Sequence, residues 1–219
     1  MVAFTEPAGM VSALAQGEAR RLGHRYLGPE HLLLCLLAHG ANRAAVILAS
    51  HGLDLATARD EVDRLVTRGV LPGHRPDDAE LLATLGVDLA AIHEQIRRSF
   101  GDQAYWDAAQ RVRLRPNGAG NHQPPGAPPR NLCRRALLLA ADEAARRDQE
   151  IGPEHLLLGL LGDALDPAGT ATSRLEARQR AQLGLPEGGP HPIAALVEAR
   201  DLDLEGLRDA TLVELDRSI

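Results

Sequence analysis

The ten residues Gly28-Pro-Glu-His-Leu-Leu-Leu-Cys-Leu-Leu37 recur as Gly152-Pro-Glu-His-Leu-Leu-Leu-Gly-Leu-Leu161. Nine of the ten positions are identical at an offset of 124, and only Cys35 against Gly159 differs. A repeat of this kind constrains the fold more than any other feature, because neighbouring copies must bury one another's apolar faces. The flanks repeat too. Upstream of each copy lies a segment of helical period ending in a basic pair: Met10 to Leu22 with Arg20-Arg21, and Leu132 to Asp148 with Arg146-Arg147. Downstream, Leu-Asp-Leu elements occur in Ser50-His-Gly-Leu-Asp-Leu55, Leu85-Gly-Val-Asp-Leu89 and Arg200-Asp-Leu-Asp-Leu204. One duplicated helical unit accounts for all of them.

Composition agrees that the unit is helical. Of 219 residues 37 are Leu and 35 are Ala, against five aromatics, and such a core suits packed helices rather than sheets. Pro29 and Pro153 suit a first helical turn, and Glu30 and Glu154 then face the positive end of the helix dipole. The helices they open are apolar all round, so each is expected at the centre of its repeat. Asp54, Asp88 and Asp203 read as N-caps, and Gly52 and Gly86 as closures of the preceding helices. The helices that follow, such as Asp54 to Val66 and Asp88 to Phe100, are amphipathic.

Pro- and Gly-rich runs divide the chain. Residues 1–113 are expected to hold the first repeat with extra helices, 114–130 a mobile linker, and 131–219 the second repeat with a loop insertion at 163–192. A shorter loop spans Val70 to Asp78.

All 24 basic residues are Arg, and the absence of Lys excludes a Walker A loop and Schiff-base catalysis. A net charge of −6 and a pI near 5.8 argue against nucleic-acid binding. No basic leader with an apolar core opens the chain, and no run approaches about 18 apolar residues, so neither export nor a membrane is expected. Cys35 and Cys133 lie in apolar runs and read as buried thiols of a cytoplasmic protein.

Catalytic constellations do not emerge. His31 and His155 adjoin Glu30 and Glu154, but consecutive helical residues point apart, so these are expected to be hydrogen-bonded core histidines. His93-Glu94 begins like a zinc-protease motif, yet Arg97 stands where the second His is required. Ser12 and Cys133 have no nucleophile motif around them, and the nine histidines show no metal-ligand spacing. The expectation is a protein that is not an enzyme and holds neither metal nor cofactor.

The string Ala19-Arg-Arg-Leu-Gly-His-Arg-Tyr-Leu-Gly-Pro-Glu-His-Leu-Leu-Leu34 resembles the signature of the Clp N-terminal repeat domain, found at the front of AAA+ unfoldases such as ClpC and ClpA. Phe4-Thr5 running into Leu14-Ala-Gln16 and Glu18-Ala19 resembles the opening of that domain. The resemblance implies an all-α fold of two pseudo-twofold repeats of about four helices, without the motor. It implies a binding module that captures arginine-phosphorylated or otherwise tagged proteins, or Clp-directed cyclic-peptide antibiotics. The alternative it implies is an adaptor or regulator of a Clp ATPase. By this resemblance the first repeat is the better candidate for phosphoarginine, with Glu30 holding the guanidinium and Thr5 the phosphate. In the second repeat Glu154 is kept, while Pro129-Arg130 stand where Phe4-Thr5 would, so that Arg130 offers a different phosphate contact. Phe4 would be the surviving half of a cyclic-peptide groove. Both copies carry Pro where the family has Thr, which removes a hydroxyl beside each Glu.

Overall fold

Capping side chains set most of the helix starts. Thr5 accepts from the Ala8 amide to open α1 (Glu6–Arg21), and Asn42 accepts from Ala45 to open α3 (Arg43–Ser50). Asp54, Asp88 and Asp203 cap α4 (Leu55–Thr67), α5 (Leu89–Phe100) and α9 (Leu204–Asp216) through their carboxylates, as the Leu-Asp-Leu elements predict. Before α4 the chain turns through Gly52 at φ 81°, a conformation open to Gly at little cost.

The two copies of Gly-Pro-Glu-His use a different cap. The motifs open α2 (Pro29–Ala38) and α7 (Pro153–Leu165), and in each the His at the third helical position accepts from the Gly backbone N–H. The Gly28 N–H to His31 Nδ1 bond is 2.9 Å and the Gly152 N–H to His155 Nδ1 bond is 3.0 Å. An imidazole thus satisfies a backbone donor that the apolar surroundings cannot. The remaining helices are α6 (Arg134–Arg146) and α8 (Pro192–Glu198).

The computed structural model describes residues 3–22, 24, 26–39, 42–71, 85–101, 103–104, 130–166 and 190–217. Residues 114–129 of the expected linker and 167–189 of the expected insertion lie outside these residues. The chain divides into two units, Met1–His74 with Ala127–Ile219, and Arg75–Gly126. The second unit contains α5, which the sequence reading attaches to the first repeat. Its described surface is charged by Glu94 paired with Arg97 and Arg98.

Both four-helix repeats lie in the first unit. Nearly every residue of α2 and α7 is buried, and the two motif helices touch at the centre. Around them α1, α3 and α4 pack on α2, and α6, α8 and α9 pack on α7. Each buried Leu side chain here contributes roughly 1.5–3 kcal/mol relative to exposure. The first residues of the expected insertion are ordered. Asp163 lies in the last turn of α7 and is buried against Arg135 of α6, with Nη1 to Oδ1 at 3.0 Å. Arg135 also reaches the Asp166 carboxylate at 3.1 Å, and Asp163 meets His191, the N-cap of α8, at 3.2 Å.

The repeats are joined by exchanged strand pairing. β1 (Tyr26–Leu27), just before α2, pairs in parallel with β2 (Arg130–Asn131), just before α6. Phe4, just before α1, bridges in parallel to Ile151, just before α7. Each repeat's first helix therefore starts on the other repeat's motif.

Candidate functional site

That exchange decides which residues meet. The Thr5 N–H and the Thr5 hydroxyl both donate to the Ile151 carbonyl, at 3.0 and 3.2 Å. Thr5 and Phe4 are thus placed against Ile151-Gly-Pro-Glu154, the second motif. The sequence reading groups them with Glu30, and the structure instead sets β2 beside the strand leading to Glu30. The pairing register aligns Phe4 with Asn131, since Leu27 and Ile151 hold equivalent places. Pro129-Arg130 are not the ladder equivalents of Phe4-Thr5. Arg130 pairs through its backbone with Tyr26, and its side chain is outside the described residues.

The two motif glutamates occupy opposite environments. Glu30 is 0% exposed, and neither carboxylate oxygen has a hydrogen-bond partner among the described residues. The carboxylate folds back over Gly28, where a Cβ would collide with it, and lies 3.4 Å from His31 Nδ1. That nitrogen accepts from Gly28 and has no proton to give. Burying a carboxylate without cation or donor is among the costliest arrangements a fold tolerates. In this conformation no solute reaches Glu30.

Glu154 keeps a 12% exposed side chain and faces a cation. Arg43, the first residue of α3, places Nε 3.7 Å from Glu154 Oε1 while its own side chain stays 52% exposed. Glu154 thereby joins the starts of α3 and α7. Phe4, 43% exposed, borders the same edge through its bridge to Ile151.

His24, Glu30 and His31 bring ligand atoms within 4.8 Å of one another, a spacing that invites a metal reading. The hydrogen bonds oppose it. Because His31 Nδ1 accepts from Gly28, the ring proton lies on Nε2, which donates to His24 Nδ1 at 2.9 Å. A metal on His31 Nε2 would require a ring with no proton on either nitrogen, whereas ligating imidazoles normally donate through the other nitrogen. The second repeat keeps the Gly–His bond although Asp148 stands at the position matching His24. The histidines are the hydrogen-bonded core residues that the sequence implies. His24 also stacks on Tyr26, with centroids 5.2 Å apart.

Residues 3–79 match the Clp repeat (R) N-terminal domain family. Over 66 residues, 30% of this chain, the sequence is 50% identical to the ATP-dependent Clp protease ATP-binding subunit ClpA homolog of Brassica napus chloroplasts. The same length is 50% identical to the chloroplastic chaperone protein ClpC1 of Oryza sativa subsp. japonica. The matched span is 8% and 7% of those relatives' lengths. The N-terminal domain of the caseinolytic protease associated chaperone ClpD from Arabidopsis thaliana superposes with a TM-score of 0.51 at 16% identity, over 97% of this chain and 94% of that one. The fold is that of a Clp N-domain. Residues 3–79 are thus similar to the Clp repeat N-terminal domain, and the chain shares the Clp N-domain fold.

Proposed function

We propose that this chain is a non-catalytic module that captures proteins bearing phosphorylated arginine, and that Glu154 is the seat for the guanidino group. The supporting observation is the contrast between the two motif glutamates. Glu154 is partly exposed and already faces one guanidinium, that of Arg43, whereas Glu30 is fully buried. A carboxylate accepting guanidino N–H groups makes charge-assisted bonds of roughly 1.5–3 kcal/mol each. Calorimetric titration with a phosphoarginine peptide tests the reading. Glu154→Gln should abolish binding and Glu30→Gln should leave it within about twofold. Absence of binding by the unaltered chain would contradict it.

A second reading, capture of an apolar cyclic peptide, draws on the exposed Phe4 before α1 and the exposed Met10 and Leu14 within it. Competition between such a peptide and phosphoarginine would separate the two.

A further inference from the structure

We infer that His191 is an acid-sensitive latch on α8: a proton taken up by its ring uncaps that helix and loosens its docking, whereas α3, the matching helix of the first repeat, is fastened by a side chain that does not titrate. The two repeats secure these helices in the same way. Asn42 caps α3, its Oδ1 accepting from the Ala45 N–H at 2.9 Å. Its Nδ2 donates back to the Leu36 and His39 carbonyls at the end of α2, at 2.7 and 2.6 Å. His191 caps α8, its Nδ1 accepting from the Ile193 N–H at 3.2 Å, and its Nε2 reaches back to Asp163 Oδ2 in the last turn of α7, also at 3.2 Å. Asp163 matches His39 at the repeat offset of 124. Each cap residue thus accepts from its own helix and donates to the end of the motif helix.

Only the neutral imidazole can do both. The Ile193 N–H has to donate, so the ring proton lies on Nε2 and goes to Asp163. A second proton, on Nδ1, sets N–H against N–H, removes the cap and places a cation at the positive end of α8. Asp163 favours that cation, but its charge is already met by Arg135 Nη1 at 3.0 Å, and Arg135 also holds Asp166 at 3.1 Å. The other elements packed on α8 carry charge as well: Glu61 of α4 paired with Arg64 at 3.0 Å, Glu30 and His31 of α2, and Asp203 at the cap of α9. Among the described residues none of these has a hydrogen bond or ion pair to His191. Release is therefore favoured as pH falls.

The effect reaches past the second repeat. α8 buries Ile193, Leu196 and Val197, and it packs on α7 and α9 and, across the repeat boundary, on α2 and α4. Loosening it weakens a contact between the repeats.

Hydrogen exchange on the full chain tests the latch, with the protection of the Leu196 and Val197 amides of α8 taken relative to Ile47 and Leu48 of α3. The ratio cancels any unfolding of the whole chain, including that driven by other histidines. Between about pH 7 and pH 5 it should fall at least about fivefold, and the His191 ring should titrate by NMR over the same interval. His191→Asn, which installs the first repeat's cap, should keep the ratio constant. A constant ratio in the unaltered chain, or an equal fall in His191→Asn, would overturn the inference. Should His191→Asn not fold, the unaltered chain still decides: a His191 ring that titrates while the α8 amides keep their relative protection also overturns it.

Discussion

Thr5 and Ile151, 146 residues apart, share one carbonyl: the Thr5 amide and hydroxyl both donate to the oxygen of Ile151. The same two residues cap α1 and lead into the second Gly-Pro-Glu-His turn. A residue at the start of one repeat is therefore part of the other repeat's motif, and the candidate site is composite. Damage to the α1 start should be felt at Glu154.

Gly159 is the one position at which the repeated decapeptides differ, and its environment explains why. A Cβ there would run into the Ala136 carbonyl and lie 2.9 Å from the Ala140 amide, where α6 crosses α7. Gly159→Ala should cost about 1–3 kcal/mol, near the upper end because backbone must shift. Gly17, with open space at its Cβ in α1, is the control: Gly17→Ala should stabilise by about 0.5–1 kcal/mol. Urea melts of both variants check the pair, and an unchanged midpoint for Gly159→Ala would contradict the close crossing.

Glu30 is a buried carboxylate with no hydrogen-bond partner among the described residues, so neutralising it should help the fold. Glu30→Gln is expected to raise stability by about 1–3 kcal/mol, seen as a higher thermal midpoint. A lower midpoint would mean that a donor or cation holds the carboxylate in solution.

The imidazole of His155 is held below its ordinary range, first by burial, against a weaker upward pull from Glu154. Its Nε2 has no hydrogen-bond partner among the described residues. The unfolded chain takes up this proton near pH 6.5, above the folded value. Between the two values the unfolded state binds more protons. The stability from neutral His155 is therefore intact above about pH 6.5 and is lost as pH falls through the lower folded value. His155→Asn keeps an acceptor for the Gly152 N–H and removes the titration. Its thermal midpoint should fall less between pH 7 and 5 than that of the unaltered chain, and an equal slope would contradict the assignment.

Burial pushes the Cys35 thiol up to about 11. At pH 8 it should react with a thiol reagent only as fast as the chain opens, and addition of urea should release it. Rapid labelling of the folded chain at that pH would contradict its burial.

Much of the fold is legible in the sequence, because its signals are local. The duplicated Gly-Pro-Glu-His turns, the apolar α2 and α7, and the Asp54, Asp88 and Asp203 caps all follow from spacing and capping chemistry. The grouping of site residues is not legible in this way. Nothing in Phe4-Thr5 announces that it pairs with Ile151 rather than with the strand before its own repeat's motif, because strand exchange is a tertiary choice. The sealing of Glu30 and the opening of Glu154 escape sequence reasoning for the same reason, since the two motifs are identical through the first seven residues. Arg43 was also missed. It lies 111 residues from Glu154, and no spacing rule joins an N1 arginine of one repeat to a first-turn glutamate of the other.

The measurement that tests the central claim most directly is a phosphoarginine titration followed by backbone amide NMR. If the composite edge is the seat, the amides of Thr5, Arg43, Ile151 and Glu154 shift together and saturate at one affinity, while Gly28, Glu30 and His31 stay in place. Shifts centred on Gly28 to His31, with Arg43 and Glu154 unmoved, would contradict the account.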